Sequence, residues 1–378
     1  MSFSPYVEPS KHELTWKKGI AIVVVMSLVF VELAFRVVRL PAVDQWVDPV
    51  AFELAQAHVE PHPYLAYALK PGWRTPAGTN VQASHNELGF RGQGIEAKKE
   101  DDVFRVLCLG SGSTYGIGAS NDDATWPARL QYYLHAEEPD RKFEVINMGV
   151  EGYSTFENLI DLATRGIDLE PDLVIVYQSL ADLRCALYPA PVSDNTHGRS
   201  SWTTENSRGL ESTLESSYLY KLARRALTDG DVESAGFESQ LVVDYEPGTD
   251  KFVDAPASTG FDNFERNLTS IVALSRSIGA RVLLSSQGLD RVDLTNAPSR
   301  GRQLASFERM RAILERVARR QKVEFVDAGK TLEQAARRQW EADGKENVFT
   351  WEDGLQDAGA DLLASTFAHA IFRGGLLF

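Results

Sequence analysis

From residue 103 onward, short apolar runs alternate with longer stretches of helical period, and no other feature restricts the fold as much. Val103–Leu109, Phe143–Ile146, Pro171–Tyr177, Arg281–Ser285 and Val323–Val326 read as strands. Between them, Trp126–Ala136, Thr155–Arg165, Phe261–Ile278 and Arg300–Arg320 have helical spacing, and Asp361–Phe372 follows as a last helix. Pro127 suits the first turn of its helix. Strands interleaved with helices in this way form a parallel sheet covered on both faces. The expected domain is α/β, a three-layer α/β/α sandwich with a central parallel sheet of about five strands.

The first of these strands delivers an unusual loop. Phe104 to Gly118 reads F-R-V-L-C-L-G-S-G-S-T-Y-G-I-G, an apolar run that stops at Gly110 and gives way to small residues. In open α/β sheets, ligands bind at such carboxyl ends of strands. Three readings are open on these residues alone: a nucleophile carrier, an anion cradle, or a tight turn of glycine and serine. G-x-G-x-x-G does not occur in this loop.

Composition narrows the chemistry. A net charge of −14 argues against non-specific nucleic-acid binding, which needs a basic face. Two cysteines, Cys108 in the first strand and Cys185 after another, can build neither a disulfide framework nor a four-cysteine zinc site. Seven histidines include no H-E-x-x-H, so no metal or other cofactor is expected. His58, His62 and His85 read as surface or packing residues. The arginines near position 310 alternate with Glu308 and Glu315, which points to an ion-paired, solvated face.

Residues before the sheet have another character. Gly19 to Phe35 is apolar save for Glu32, and with Val37, Val38 and Leu40 it approaches the roughly 20 residues of a membrane-spanning helix. Glu32 lies one helical turn from Arg36, and both side chains could reach an interface together. No small-residue cleavage site precedes Pro41, so an uncleaved anchor is favoured over a signal peptide. The expected layout is a cytoplasmic tail at 1–18, a transmembrane anchor at 19–40, and a stalk at 41–102 packing on the domain at 103–378. The Lys/Arg bias around the anchor puts the N-terminus in the cytoplasm and the domain outside it, periplasmic or otherwise extracytoplasmic. Residues 188–260 break the strand–helix rhythm and read as an insertion, with a helix expected at Leu214–Leu227.

The order of motifs resembles the SGNH/GDSL hydrolases, in particular bacterial members with one N-terminal anchor. The matching phrases are N-E-L-G-F-R-G, L-G-S-G-S-T-Y-G, V-I-N-M-G-V-E-G-Y-S-T, P-D-L-V-I-V-Y-Q-S-L-A-D-L and F-T-W-E-D-G-L-Q-D-A-G-A-D-L-L-A. The resemblance implies a flavodoxin-like fold and a site at fixed positions. Aligned on Gly110, Thr114 and Gly116, the family's serine nucleophile falls on Gly112. A backbone oxyanion donor falls on Gly152, and the oxyanion asparagine falls on Ala181. Aligned on Leu355 and Gly359, the acid falls on Trp351 and the base histidine on Gly354.

Acyl transfer by that route needs a nucleophile and a base within hydrogen-bond reach. With Gly112, Ala181, Trp351 and Gly354 at the matching positions, the resemblance implies a pseudoenzyme. The expected function is a structural or binding subunit, with a membrane complex or a cell-envelope glycan as partner. The alternative is a serine esterase or O-acyltransferase acting on envelope sugars with relocated residues. Ser111 or Ser113 would then be the nucleophile and Asp353 or Asp357 the base.

Overall fold

The computed structural model describes residues 11–37, 57–187, 258–290, 298–345 and 347–377, less positions 61, 63, 66, 77, 80, 352 and 353, together with 193, 217, 219 and 220. The chain divides into two compact units, one of residues 1–57 with 204–238, the other of 58–203 with 239–378.

In the second unit, strand β3 (Val103–Gly110) is the second strand of a five-stranded sheet. Its neighbours are β4 (Lys142–Asn147) on one side and β5 (Leu173–Tyr177), β6 (Arg281–Ser285) and β7 (Glu324–Val326) on the other. All four pairings are parallel. Every residue of β3 and β5 is buried, as central strands covered on both faces must be. The sequence expectation of an α/β fold with a central parallel sheet of five strands holds. Two shorter antiparallel pairs complete the strands: β1 (Val59–Glu60) with β2 (Ala68–Leu69), and β8 (Phe349–Trp351) with β9 (Gly354–Leu355).

Alternation along the strands sends side chains to two cores. Leu107, Leu109, Val174 and Val176 pack under the helices Ser258–Ser277 and Pro298–Gln321. Val106, Cys108, Ile175 and Tyr177 face Trp126–Glu137 and Asp357–Arg373. Between β7 and β8 stands the helix Ala328–Asp343, absent from the expected elements. Its buried face is Ala328, Gly329, Leu332 and Ala336, mostly residues too small to stand out in a hydrophobic period. The helix expected over Thr155–Arg165 is α-helical only to Asp161, and a wider π turn takes over at Leu162–Gly166. Arg316 and Arg320 both pair with Glu265, and Arg319 with Glu315, so the basic helix is ion-paired as its sequence implies.

Residues 58–102, expected as part of a stalk, belong to the unit of the sheet. Arg91 ties them to the strand-end loop through Tyr115 O (3.1 Å) and Gly116 O (2.9 Å).

In the first unit, Lys11–Val37 form one helix. Its described apolar side chains, from Ile20 to Leu33, are exposed, Phe30 to 72%. Among the described residues no helix is long and apolar enough to cross a membrane. The span expected at 19–40 is therefore not found there, and residues 38–40, which complete the apolar run in the sequence, lie outside the described residues. Glu32 accepts hydrogen bonds from Ser217 Oγ and Leu219 N, both 3.0 Å. The helix expected at Leu214–Leu227 is described only at Ser217, Leu219 and Tyr220, and the rest of it lies outside the described residues.

Candidate active site

The sheet ends on its carboxyl side in a stack of glycine-rich loops. Gly110 admits no side chain, because a Cβ there would stand 2.6 Å from Tyr177 O and 2.0 Å from Thr114 Oγ1. The chain can therefore turn hard at Gly110 and enter the single helical turn Gly112–Tyr115. Ser111, Ser113 and Thr114 are all buried in that turn. Gly112 has nothing to offer but its backbone, and the room beside it is taken. A Cβ on Gly112 would lie 2.4 Å from Ile117 Cδ1 and 4.0 Å from Glu151 Cγ.

The loop after β4 lies directly against this turn. A Cβ on Gly149 would meet Tyr115 N at 2.1 Å, so only glycine permits the approach. The loop then presents Glu151 and Gly152, the latter with φ +76°. Neither the backbone N–H of Gly112 nor that of Gly152 donates a hydrogen bond among the described residues. Among the described residues both amides, that of Gly152 aligned with the family's backbone oxyanion donor, are thus without a hydrogen-bond acceptor.

After β5, Ala181 lies in the helix Leu180–Ala186 and is buried. A methyl group cannot donate to an oxyanion. Its neighbour Asp182 is a structural hub instead. The carboxylate accepts from Thr155 N (2.9 Å), Thr155 Oγ1 and Gln178 Nε2 (3.0 Å). Burial raises its pKa to about 7 against the pull of those donors.

The β8–β9 hairpin completes the ring of loops. Leu355 N donates to Ile117 O (3.1 Å), which brings Gly354 beside the strand-end loop. Trp351 pairs with Gly354 across the hairpin. The side chain of Trp351 and all of Asp353 lie outside the described residues. The five motif blocks thus converge as the alignment requires, but the described side chains at the matched positions carry no nucleophile, oxyanion donor or base.

Of the relocated candidates, Ser113 and Asp357 are engaged by other groups. Ser113 Oγ accepts from Gln287 Nε2 (2.7 Å). An amide cannot serve as base for that hydroxyl. Ser111 Oγ forms no hydrogen bond among the described residues, and the buried Ser111 O holds the turn through Thr114 N and Tyr115 N. Asp357 accepts from Ser120 N (2.8 Å) and Ser120 Oγ (2.7 Å), pinning the last helix to the loop below the turn. No described contact joins a serine candidate to an acid candidate.

Three residues at the site had no signal as site residues in the sequence. His58 Nε2 stands 3.8 Å from Glu151 Oε2, and His85 Nε2 stands 3.1 Å from Tyr115 Oη. His85 Nδ1 faces Lys70 O at 3.0 Å, which makes Nδ1 the donor and Nε2 the acceptor of the Tyr115 hydroxyl. Burial lowers both imidazole pKa values to about 4, so both rings are neutral at pH 7. Gln287 is the third, its Oε1 accepting from Ser179 N and Leu180 N, each at 2.9 Å. The only legible hint was the place of Glu151, one residue before the matched Gly152.

Cys108 and Cys185 are not joined in a disulfide, and no cluster of three metal-ligating side chains occurs among the described residues.

The comparisons with known proteins follow this geometry. Solved structures similar to the chain include the acetyl xylan esterase AlAXEase, at 12% identity over 71% of this chain and 100% of that one, TM-score 0.43. The acetylxylan esterase Axe2 of Geobacillus stearothermophilus is similar at 14% identity over 71% and 94%, TM-score 0.42. LAE5, an alpha/beta hydrolase enzyme from the metagenome of Lake Arreo, Spain, is similar at 16% identity over the same shares, TM-score 0.42. At these TM-scores the likenesses say nothing of this chain's activity. Among curated proteins, none matches the chain. The model of the GDSL-like lipase/acylhydrolase family matches residues 108–354, from within β3 to the start of β9. This chain belongs to the GDSL-like lipase/acylhydrolase family.

Proposed function

We propose that this chain is a non-catalytic member of its family, a structural or binding subunit held at a membrane with its sheet domain on the extracytoplasmic side. The observation that carries the reading is Gly112. The matched nucleophile position has no side chain, and Ile117 Cδ1 fills the space where one would begin. Ala181 and Gly354 add two more positions without a functional group. Losing members of a catalytic triad leaves only about 10³–10⁴-fold acceleration over water. Loss of an oxyanion donor removes a further factor of about 10²–10³.

The test is an activated fluorophosphonate probe, with short-chain nitrophenyl esters alongside. The expected outcome is no covalent label and no turnover above that of the heat-denatured chain. Labelling that disappears in Ser111→Ala or Ser113→Ala would overturn the reading. It would support an esterase or O-acyltransferase with relocated residues, which the unengaged amides of Gly112 and Gly152 favour.

Membrane attachment is supported by the exposed apolar surface of the helix Lys11–Val37. Such a surface needs apolar surroundings. Alkaline carbonate extraction of membranes carrying the full chain tests it. Retention in the pellet is expected, and release into the supernatant would sink the anchoring.

A further inference from the structure

β4 is the outermost strand on its side of the sheet, and a groove runs along its outer edge. Residues 144–147 floor a cavity of about 440 Å³ there, within the roughly 300–1,000 Å³ of small-molecule sites. Two further hollows, of about 710 and 450 Å³, adjoin it, and Asp123 lines all three. None of Gly112, Gly152, Ala181 and Gly354 lines any of them, so the groove is separate from the emptied catalytic positions.

Its walls are set by the fold itself. The N-E-L-G-F-R-G phrase folds one of them around Asn86, whose Oδ1 accepts from Leu88 N and Phe90 N, each at 3.0 Å, and whose Nδ2 donates to Gln93 O (3.0 Å). Arg91 fastens that wall, its Nε donating to Asp122 Oδ1 (2.9 Å). The other wall is the helix Trp126–Glu137, where Ala128, Gln131 and Tyr132 share one face. Gln131 Oε1 accepts from Val145 N (2.8 Å), which leaves its Nε2 as a fixed donor. Glu144 Oε2 accepts from Arg105 Nε (2.8 Å), which leaves Oε1 as an acceptor. Neither remaining atom has a partner among the described residues, and neither is closed to solvent. The exposed Asp123 carboxylate has no partner among the described residues either. Tyr132, 58% exposed, lines the same cavity. The Arg129 guanidinium lies 4.5 Å from its ring centroid and is fixed in turn by Asp361 Oδ1 (2.6 Å).

We propose that this groove binds a neutral oligosaccharide, with one pyranose stacked on Tyr132 and its hydroxyls held by Gln131, Glu144 and Asp123. This rests on the binding reading above and gives it a ligand class. A hydroxyl both donates and accepts, so neighbouring hydroxyls pair with two carboxylates and an amide donor at once. The C–H face of the sugar covers the apolar body of a tyrosine that is already held still. The charges lining the first cavity nearly cancel, Asp122, Asp123 and Glu144 against Arg91 and Arg129, which favours a ligand without charge. A peptide strand added to β4 is blocked by the same wall. Gln131 and His135 (3.4 Å) already take the outward N–H groups of Val145 and Phe143.

The experiment is an array of tetrasaccharides probed with the full chain in a detergent whose headgroup is not a sugar. The neutral members are tetramers of glucose, mannose, galactose, xylose and N-acetylglucosamine. The charged members are tetramers of glucosamine and galacturonate. At least one neutral tetramer is expected to bind, and calorimetry then reads its affinity. Tyr132→Ala is expected to weaken it at least about tenfold, the loss of one good contact. Tyr132→Phe, which keeps the ring, is expected to retain it, and Asp123→Asn to weaken it. Trp340→Ala removes an aromatic that is 47% exposed on the helix Ala328–Asp343 and is expected to change nothing. Each of these positions is exposed, so the substitutions leave the core intact. Binding of no neutral tetramer, preference for a charged one, equal losses in Tyr132→Ala and Trp340→Ala, or full binding by Tyr132→Ala or Asp123→Asn would overturn the proposal. Fluorophosphonate labelling of the same preparation reports separately on the non-catalytic reading. A chain that binds and is labelled keeps the sugar site and loses that reading. One that neither binds nor is labelled loses the sugar site and keeps the reading.

Discussion

Ile117 Cδ1 stands 2.4 Å from the point at which a side chain on Gly112 would begin. The family's nucleophile position is thus filled from within the same loop. The neighbour is the far end of a flexible side chain, so a serine there would displace it rather than unfold the turn. Gly112→Ser should cost about 1–3 kcal/mol of stability, the usual range for overpacking. It should not create an esterase, because Gly354 supplies no base. Urea melts and nitrophenyl acetate assays check both halves. A thousandfold gain in ester turnover would show that another group, such as His58, can serve as the base.

Gln287 is the second point at which the loops depend on one side chain. It is buried, and it joins the end of β6 to Ser179, Leu180 and Ser113. Gln287→Leu keeps much of the volume but strands the backbone N–H groups of Ser179 and Leu180. An unsatisfied buried donor costs about 1–3 kcal/mol. The variant should lose about 2–6 kcal/mol in urea titration, on the same principle counted for both donors. A loss under about 0.5 kcal/mol, the scale of a neutral surface change, would show that the loops are held by other contacts.

The strands were legible because each is a compact buried run ended by Gly, Ser or a polar turn. β6 and β7 are found within a residue of where periodicity puts them. The emptied nucleophile and base positions were legible too, since absence of a side chain is a property of the sequence. The wall opposite was not. His58 and Glu151 are far apart in the chain, and His58 lies beside a two-residue strand with no periodicity to read. The helix Ala328–Asp343 escaped because glycine and alanine make much of its buried face, where a Cβ on Gly329 would meet Gln287 O at 2.1 Å. Close packing of small residues is visible only once both partners are placed.

The two buried histidines make an acid-side prediction. For His58, burial is the largest cause of the lowered pKa, followed by the charges of His85 and Arg91. For His85, burial dominates over the opposing hydrogen bond that the ring donates to Lys70 O. Both fall from 6.5 in the unfolded chain to about 4 in the fold. Their contribution to stability is therefore present above pH 6.5 and is lost as pH falls through the folded values, by about 3 kcal/mol each at most. Imidazole carbon-proton NMR should show neither ring titrating between pH 5.5 and 8. A midpoint near pH 6.5 for either ring would place it in water and break the cluster with Tyr115.

Asp182 acts with the opposite sign. Burial raises its pKa from 3.8 to about 7, against the hydrogen bonds from Thr155 and Gln178. The native state holds this proton more tightly than the unfolded chain. Its contribution is therefore fully present below pH 3.8 and is lost as pH rises toward 7, on the order of 4 kcal/mol in all. Between pH 4 and 6.5 this loss runs against the gain from the histidines, so the wild-type profile alone does not separate them. Asp182→Asn does. The asparagine cannot ionise, but its NH₂ cannot accept from Thr155 as the second carboxyl oxygen does. The variant should be less stable than wild type at pH 4.5, with the gap closing or reversing by pH 7.5. Paired urea titrations at the two pH values read this directly, because the histidine contribution is common to both proteins and cancels. A gap that stays constant would mean that Asp182 is ionised throughout, held as a carboxylate by its donors.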